Sequence, residues 1–312
     1  MKREIAIKAS AKINIGLEVG EPRPDGYHPI VSIFHSVDIA DRLVFSKDAS
    51  AGIRVEGAFD CPQEATTVYK AASLFMKRFG IEGGFNAVVE KGIPVMAGLG
   101  GGSADAAAAL MALNMLYDTK MDTAGLAALG AKIGADVPFF LSGGAAVVSG
   151  IGDVIEPIPP RGDFAILLVE PAFGVSTRWA FAELDSMRRA KRSPAPADAA
   201  PSEAEAVRKE RLISVFQGSL EKWRFKNSFE EMLYSRFPVY GELERLIREA
   251  GAFHVSITGS GSCMYGVFAS IDGARGAEAK MMASIGERNG AKTLCGMALH
   301  AIKPLETSLL LG

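Results

Sequence analysis

Residues 91–117 read KGIPVMAGLGGGSADAAAALMALNMLY, and the fold class turns on this stretch. Its glycines stop at Ser103, and the alanine- and leucine-rich remainder has strong helix propensity. A glycine loop, GLGGGS (98–103), therefore runs straight into a helix, with Ser103 as an N-cap type residue. Gly100, Gly101 and Gly102 in succession cost chain entropy and add no packing, so a plain tight turn rarely uses them. Where backbone must approach an oxyanion the same glycines are an advantage, because first-turn N–H groups and the helix dipole favour negative charge. The stretch predicts a phosphate-binding loop. It is not a Walker A loop, which needs Lys after its last glycine where Ser103 stands. Nor is it a dinucleotide fingerprint, which needs a strand feeding directly into it; Gly92 and Pro94 intervene.

Upstream, Ile5, Ile7, Ala9, Ala11, Ile13, Ile15, Leu17 and Val19 alternate with Lys8, Ser10, Lys12, Asn14 and Glu18. Period two predicts a half-buried strand. The turn cluster EPRPDG follows at 21–26, then strands over 30–37 and 42–45, an amphipathic helix over 64–79 and a strand at 85–90. Downstream the pattern predicts a helix near 123–133, a helical turn and strand within 134–150, a strand at 164–170 and a helix at about 176–189. RRAKRSPAPADAAPSEAEAVRKER (188–211) is rich in Ala, Pro and charge, and 190–217 reads as a mobile insertion. Helices over 228–236 and 239–250, a hairpin at 253–268, a helix at 273–288 and a strand at 292–302 complete an α+β unit. The division is 1–160 and 161–312, two domains being the prior for 312 residues.

The chain carries 34 Lys and Arg against 36 Asp and Glu. That balance gives no whole-molecule attraction to nucleic acid or anionic membrane, and the dense basic run 188–192 falls in the insertion. Three scattered cysteines (Cys61, Cys263, Cys295) have no metal-ligand spacing. No stretch reads as a signal peptide or a membrane span, so the expected location is the cytoplasm.

Several residues admit two readings. Asp136, before Val-Pro-Phe-Phe, is a standard helix N-cap or a general base. Lys12 is a solvated strand lysine or, pointing the same way as Asn14 two residues on, part of a site. Tyr27 and His28 follow a Pro-Asp-Gly turn and pack on the core or meet a ligand. Lys91 is a surface lysine at a strand end or a nucleotide contact. ITGSG (257–261) is a loop on either reading. His35, His254 and His300 have no partners at ligand spacing and read as structural.

PVMAGLGGGSADAA resembles the phosphate-binding motif of the GHMP kinase superfamily. ASAKINIGLEV (9–19), PDGYHPI (24–30), GADVPFFLSGGAAVVSGIGD (134–153), NSFE (227–230) and ITGSGSCMYGVF (257–268) extend the likeness over nearly the whole chain. DGYH is the most specific piece and resembles the branch whose substrate carries a cytidine diphosphate group.

The resemblance implies a two-domain α+β fold: an N-terminal ATP domain with a left-handed βαβ crossover and a C-terminal ferredoxin-like domain. It implies phosphorylation by ATP with Mg2+ of the 2-hydroxyl of a cytidine-diphosphate-linked methylerythritol, in the non-mevalonate isoprenoid pathway. It assigns Lys12 and Asp136 to catalysis. Lys91, Pro94, Gly98, Leu99, Gly100, Gly101, Gly102 and Ser103 fall to the nucleotide; Asn14, Tyr27, His28, Thr177, Phe181, Gly259 and Gly261 fall to the substrate. It names no metal-ligand set and implies a monomer or weak homodimer. Ser10 and Ser228 stand where the family has Pro and Asp, a change of packing or capping, and Thr66 stands where it has an adenine-holding Asn. A homoserine or mevalonate kinase, a nucleotide-dependent oxidoreductase and a nucleic-acid binder are the competing readings. Tyr27–His28 argues against the first, the interrupted strand before Gly98 against the second, and the charge balance against the third.

Overall fold

The alternating segment becomes β1 (Glu4–Val19), paired antiparallel with β2 (Ile30–Asp48), which joins the two predicted runs into one strand. The computed structural model of the chain describes residues 4–48, 52–191, 204–287 and 296–311. Ile7, Ala9, Ala11, Ile13 and Ile15 are fully buried, as the period requires. The opposite face departs from the expectation of a half-buried strand: Ser10, Lys12 and Asn14 are also buried. A register shift between Ser10 and Ala11 carries that polar stretch under the loops of the second half of the chain.

β3 (Gly52–Gly57), α1 (Thr67–Phe79) and β4 (Gly84–Glu90) form a βαβ unit with parallel strands. α2 (Gly101–Tyr117) packs between α1 and the sheet, with Ala104, Ala106, Ala107, Ala108, Ala109 and Leu110 wholly buried. A helix covered on nearly all sides needs small residues, which explains its alanines. α3 (Thr123–Gly130), α4 (Val137–Ser142), β5 (Ala145–Ser149) and β6 (Val154–Ile158) follow. The first sheet runs β3-β4-β2-β1, with β5 also on β2 and β6 on β5.

The second half contains β7 (Ala165–Glu170), α5 (Thr177–Lys191), α6 (Glu205–Gln217), α7 (Glu230–Arg236), α8 (Val239–Glu249), β8 (His254–Ile257), β9 (Met264–Phe268), α9 (Ile271–Glu287) and β10 (Ala298–Ile302). Its sheet order, β10-β7-β9-β8, is antiparallel throughout. That is the βαββαβ arrangement of a ferredoxin-like unit, with extra helices between its first two strands.

Two features depart from a simple division at residue 160. α6 packs on β2 and buries Leu212 and Phe216 in a core shared with Phe164 and Trp223. Residues 205–217 of the proposed insertion are therefore an ordered helix; residues 192–203 lie outside the described residues, as do 288–295 of the last predicted helix and strand. The chain then returns to the first sheet, where β11 (Leu309–Leu311) pairs with β1. The weak alternation of a three-residue strand explains why the sequence does not announce it.

Candidate active site

The glycine loop folds as a helix start, but the cap falls three residues earlier than the serine suggests. Gly100, left-handed at φ 74°, is the N-cap of α2, and Gly101 and Gly102 form the first turn. Ser103 lies inside that turn, its N–H bonded back to the Gly100 carbonyl at 3.0 Å. The left-handed glycine leaves the first N–H groups of α2 without side-chain caps, as an anion site requires.

The loop is seated against the 257–263 segment and β1. A Cβ on Gly98 (φ +77°) would stand 2.1 Å from the Thr258 carbonyl oxygen, and one on Gly100 would stand 2.7 Å from the Phe140 ring. The Leu99 carbonyl accepts from the Lys12 N–H at 3.0 Å. Thr258 Oγ1 donates to the Gly98 carbonyl at 3.1 Å and accepts from the Asn14 N–H at 3.1 Å.

These contacts place Lys12 at the head of the loop. Its side chain is 5% exposed, its ammonium 2.5 Å from Asn14 Oδ1, 3.8 Å from Asp136 Oδ2 and 4.5 Å from the centre of the Phe34 ring. Burial pulls the Lys12 pKa below its ordinary value, and the Asp136 carboxylate offsets part of that fall. Asn14 is held at both ends of its amide: Oδ1 also accepts from the Gly259 N–H at 2.9 Å, and Nδ2 donates to Ser32 at 3.0 Å.

Asp136 occupies the N-cap position of α4, yet its side chain makes no cap hydrogen bond. The carboxylate turns instead toward Lys12, 30% exposed. Ser103 Oγ faces the same turn, 3.6 Å from where a Cβ on Gly134 would stand. An amine, a solvent-reaching carboxylate and an open helix N-terminus thus converge. That combination suits phosphoryl transfer, which needs charge neutralisation and a proton acceptor more than covalent chemistry.

Lys91 points into the protein under the loop. Its ammonium pairs with Asp41 and, at 2.9 Å, with Asp105 on α2, while Asp41 Oδ1 accepts from the Gly92 and Ile93 N–H groups at 2.7 and 2.9 Å. Burial alone would lower the Lys91 pKa, but the two carboxylates outweigh it and the net shift is upward. Asp105 is pushed up to about 7, burial and the Asp41 carboxylate prevailing over Lys91. The ion triad ties the strand end at 90–93 to the first turn of α2. Pro94 lies half-buried just beyond it. Thr66 caps α1 by accepting from the Tyr69 N–H at 3.2 Å, and its neighbour Thr67 donates to the Gly102 carbonyl at 2.6 Å.

Tyr27 is 59% exposed, which excludes a turn aromatic packed on the core. His28 is buried beside it, its ring centroid 4.9 Å from that of Phe181 and its Nε2 2.9 Å from Asp185 Oδ1. Thr177, Phe181 and Asp185 succeed one another at four-residue spacing, so one face of α5 looks toward this group. Thr177 is bonded to Ser260 at 3.2 Å, which joins that face to the Gly259–Gly261 loop. Asp185, Thr258 and the Asp41–Asp105 pair escaped the sequence reading. Only Asp185 had a signal, its i, i+4 spacing from Phe181. Two of the remaining histidines are internal: His35 bridges Ser36 and Arg161, and His254 packs between Phe225 and Tyr265, both with pKa lowered to about 4 by burial. His300 sits on β10, 3.7 Å from Glu170. No helix among the described residues is long and apolar enough to cross a membrane.

The GHMP kinases N terminal domain model matches residues 66–144 and the GHMP kinases C terminal model residues 204–285. The 4-diphosphocytidyl-2-C-methyl-D-erythritol kinase of Pelotomaculum thermopropionicum is 38% identical over 273 residues, 87% of this chain and 91% of that protein. The enzyme of the same name from Thermodesulfovibrio yellowstonii is 34% identical, covering 85% and 90%. A crystal structure of 4-(cytidine 5'-diphospho)-2C-methyl-D-erythritol kinase superposes with a TM-score of 0.71 at 31% identity, over 97% of this chain and 99% of that one. A homoserine kinase from Cytophaga hutchinsonii superposes at 0.76 but is 19% identical, a likeness of fold alone. Sequence identity at this level over nearly full length, together with both domain models, assigns the chain to the 4-diphosphocytidyl-2-C-methyl-D-erythritol kinase family of the GHMP kinases.

Proposed function

We propose that the chain transfers the γ-phosphoryl group of ATP to the 2-hydroxyl of 4-diphosphocytidyl-2-C-methyl-D-erythritol. The observation that carries this reading is the Lys12–Asp136 pair, 3.8 Å apart at the mouth of an uncapped glycine-led helix. The polyphosphate lies along Gly98–Ser103, where backbone N–H groups and the helix dipole receive it. The hydroxyl oxygen attacks the γ-phosphorus, the bond to the β,γ-bridging oxygen breaks, and ADP leaves. Asp136 accepts the hydroxyl proton, and Lys12 neutralises charge on the transferring group and orients Asp136. Asn14 holds Lys12. Lys91 acts from beneath, fixing the loop through Asp41 and Asp105.

The cytosine stacks between the exposed Tyr27 ring and Phe181, with His28 at its edge, as proteins hold unpaired bases. Thr177 and the Gly259–Gly261 loop lie between this pocket and Lys12 and receive the diphosphate. Homoserine and mevalonate give Tyr27 and His28 nothing to bind, and the neighbours acting on them match at 13–19% identity.

Magnesium accompanies ATP in this reading. Among the described residues no three His, Cys, Asp or Glu side chains gather as a metal site. Ser103 and Asp136 offer the nearby oxygens, a sparse set that fits a cation held chiefly by phosphates and water. Bound there, the ion would neutralise the β- and γ-phosphate charge. Cys61 and Cys263 are free thiols, which suits a reducing cytoplasm, and the chain acts as a monomer or weak homodimer.

The test is ADP release with Mg-ATP and each candidate acceptor. Turnover is expected with the cytidyl-methylerythritol compound and not with homoserine or mevalonate; folded protein that binds ATP but ignores the first compound refutes the assignment. Asp136→Asn should retain ATP affinity while kcat falls by about a hundredfold or more, the scale of general-base loss.

A further inference from the structure

The two carboxylate oxygens of Asp136 face different surroundings. Oδ2 meets the Lys12 ammonium at 3.8 Å, while Oδ1 has no hydrogen-bond partner among the described residues. The Oδ1 side is bordered by the turn between β5 and β6, where Gly152, buried and at a positive φ of 104°, presents bare main chain. A Cβ on Gly152 would point into a gap bounded by Ala135 Cβ at 3.4 Å, Ile30 Cδ1 at 3.6 Å and Asp136 Oδ1 at 3.8 Å. All three are ordinary contact distances, so the missing side chain leaves apolar room directly beside the carboxylate. The turn is pinned around it. The Ile30 N–H donates to the Gly150 carbonyl at 2.7 Å, the Gly152 N–H to the Ser149 carbonyl at 3.1 Å and the Ile151 N–H to Asp153 Oδ1 at 3.0 Å. Ile30 also packs against both hydrophobic cores, which fixes the wall on its other side.

An oxygen that takes a proton from a hydroxyl needs no apolar neighbours for that step. They matter to the carbon that carries the hydroxyl. In the acceptor proposed above, the carbon bearing the 2-hydroxyl also bears a methyl group. A hydroxyl in hydrogen-bond reach of Oδ1, about 2.6–3.2 Å, therefore brings that methyl into contact range, about 3.5–4.0 Å, of the atoms around the carboxylate.

We propose that Gly152, with Ala135 and Ile30, forms a specificity-determining wall that receives the acceptor's methyl group and selects a methyl-branched tertiary alcohol over the unbranched secondary one. Gly152 supplies the room, because any side chain there grows into the space beside Oδ1. Ala135 and Ile30 supply the apolar contact. This inference rests on the function proposed above.

The experiment compares kcat/KM for 4-diphosphocytidyl-2-C-methyl-D-erythritol and for 4-diphosphocytidyl-D-erythritol, which lacks the methyl, in the unaltered chain, Ile30→Ala and Gly152→Ala. The unaltered chain should prefer the methylated acceptor about tenfold or more, the scale of one apolar carbon in a fitted pocket. Ile30→Ala strips atoms from the wall and should cut the preference to about threefold or less; Gly152→Ala fills the gap and should abolish or reverse it. Calorimetric titration with an ATP analogue shows which variants are folded. Because a Cβ at this φ strains the backbone, Ile30→Ala alone decides if Gly152→Ala does not fold. Equal use of both acceptors by the unaltered chain overturns the inference and leaves the proposed function standing, as does a preference that survives the substitutions. Folded, ATP-binding protein that phosphorylates neither acceptor refutes the function itself.

Discussion

Replacing Lys12 with methionine should separate activity from stability. Methionine nearly matches the lysine stem in volume and removes the charge. The loss strands no buried partner: Asn14 Oδ1 keeps the Gly259 N–H at 2.9 Å, and Asp136 is 30% exposed and stays hydrated. Removing one partner of a fully buried ion pair is strongly destabilising because it strands the other charge; here the remaining carboxylate reaches solvent, so Lys12→Met should cost little stability. The chemistry, by contrast, loses a preorganised cation on the transferring phosphoryl group, worth about 3–4 kcal/mol, or a hundred- to a thousandfold in kcat. The pH dependence adds an internal check. Because the folded pKa of Lys12 lies below its unfolded value of 10.5, the unfolded chain binds the extra proton between those two values. Stability of the unaltered chain relative to Lys12→Met should therefore rise as pH climbs from the folded pKa toward 10.5, by up to about 1.4 kcal/mol per pH unit. Steady-state kinetics and thermal unfolding at several pH values measure all three quantities. A variant that unfolds several degrees lower while keeping kcat within about threefold would refute the reasoning, since it would make Lys12 a structural ion and not a catalytic one.

Gly98→Ala should weaken ATP binding and destabilise the chain together, because its Cβ would meet the Thr258 carbonyl at 2.1 Å from a left-handed backbone. Calorimetric titration with an ATP analogue checks this, and unchanged affinity contradicts the packed loop. Asp105, its pKa raised from 3.8 to about 7, should stabilise the fold fully below pH 3.8 and lose that contribution as pH rises through 7. The unfolding temperature of Asp105→Asn relative to the unaltered chain should accordingly rise across that window, and a flat difference would dismiss the triad's electrostatics. His254 titrates the other way: with its pKa lowered from 6.5 to about 4, stability falls as pH drops between those values. His254→Phe, packed between Phe225 and Tyr265, should remove about one proton from that acid limb in denaturant titrations.

What the sequence disclosed depended on how local the cause was. The glycine loop and α2 were legible because helix propensity and chain entropy act over a few residues. The alternation of β1 was equally plain, but its polar face was not. Ser10, Lys12 and Asn14 look like a solvated edge until the 257–263 loop, some 240 positions away, folds over them. Asp136 shows the same limit: its neighbours spell an N-cap, and only the tertiary position of Lys12 shows the carboxylate turned elsewhere. Residues 205–217 misled by composition, since charge and alanine describe the outer face of α6 and conceal the two side chains, Leu212 and Phe216, that dock it. Asp185 and Asp41 act through partners 157 and 50 residues away, a distance that no periodicity spans.

A structure of the chain with a non-hydrolysable ATP analogue and 4-diphosphocytidyl-2-C-methyl-D-erythritol tests the central claim most directly. The account predicts triphosphate oxygens on the N–H groups of Gly100–Gly102, the γ-phosphate beside Lys12, the acceptor hydroxyl beside Asp136, and cytosine between Tyr27 and Phe181. Nucleotide bound away from residues 98–103, or a hydroxyl remote from Asp136, would contradict it.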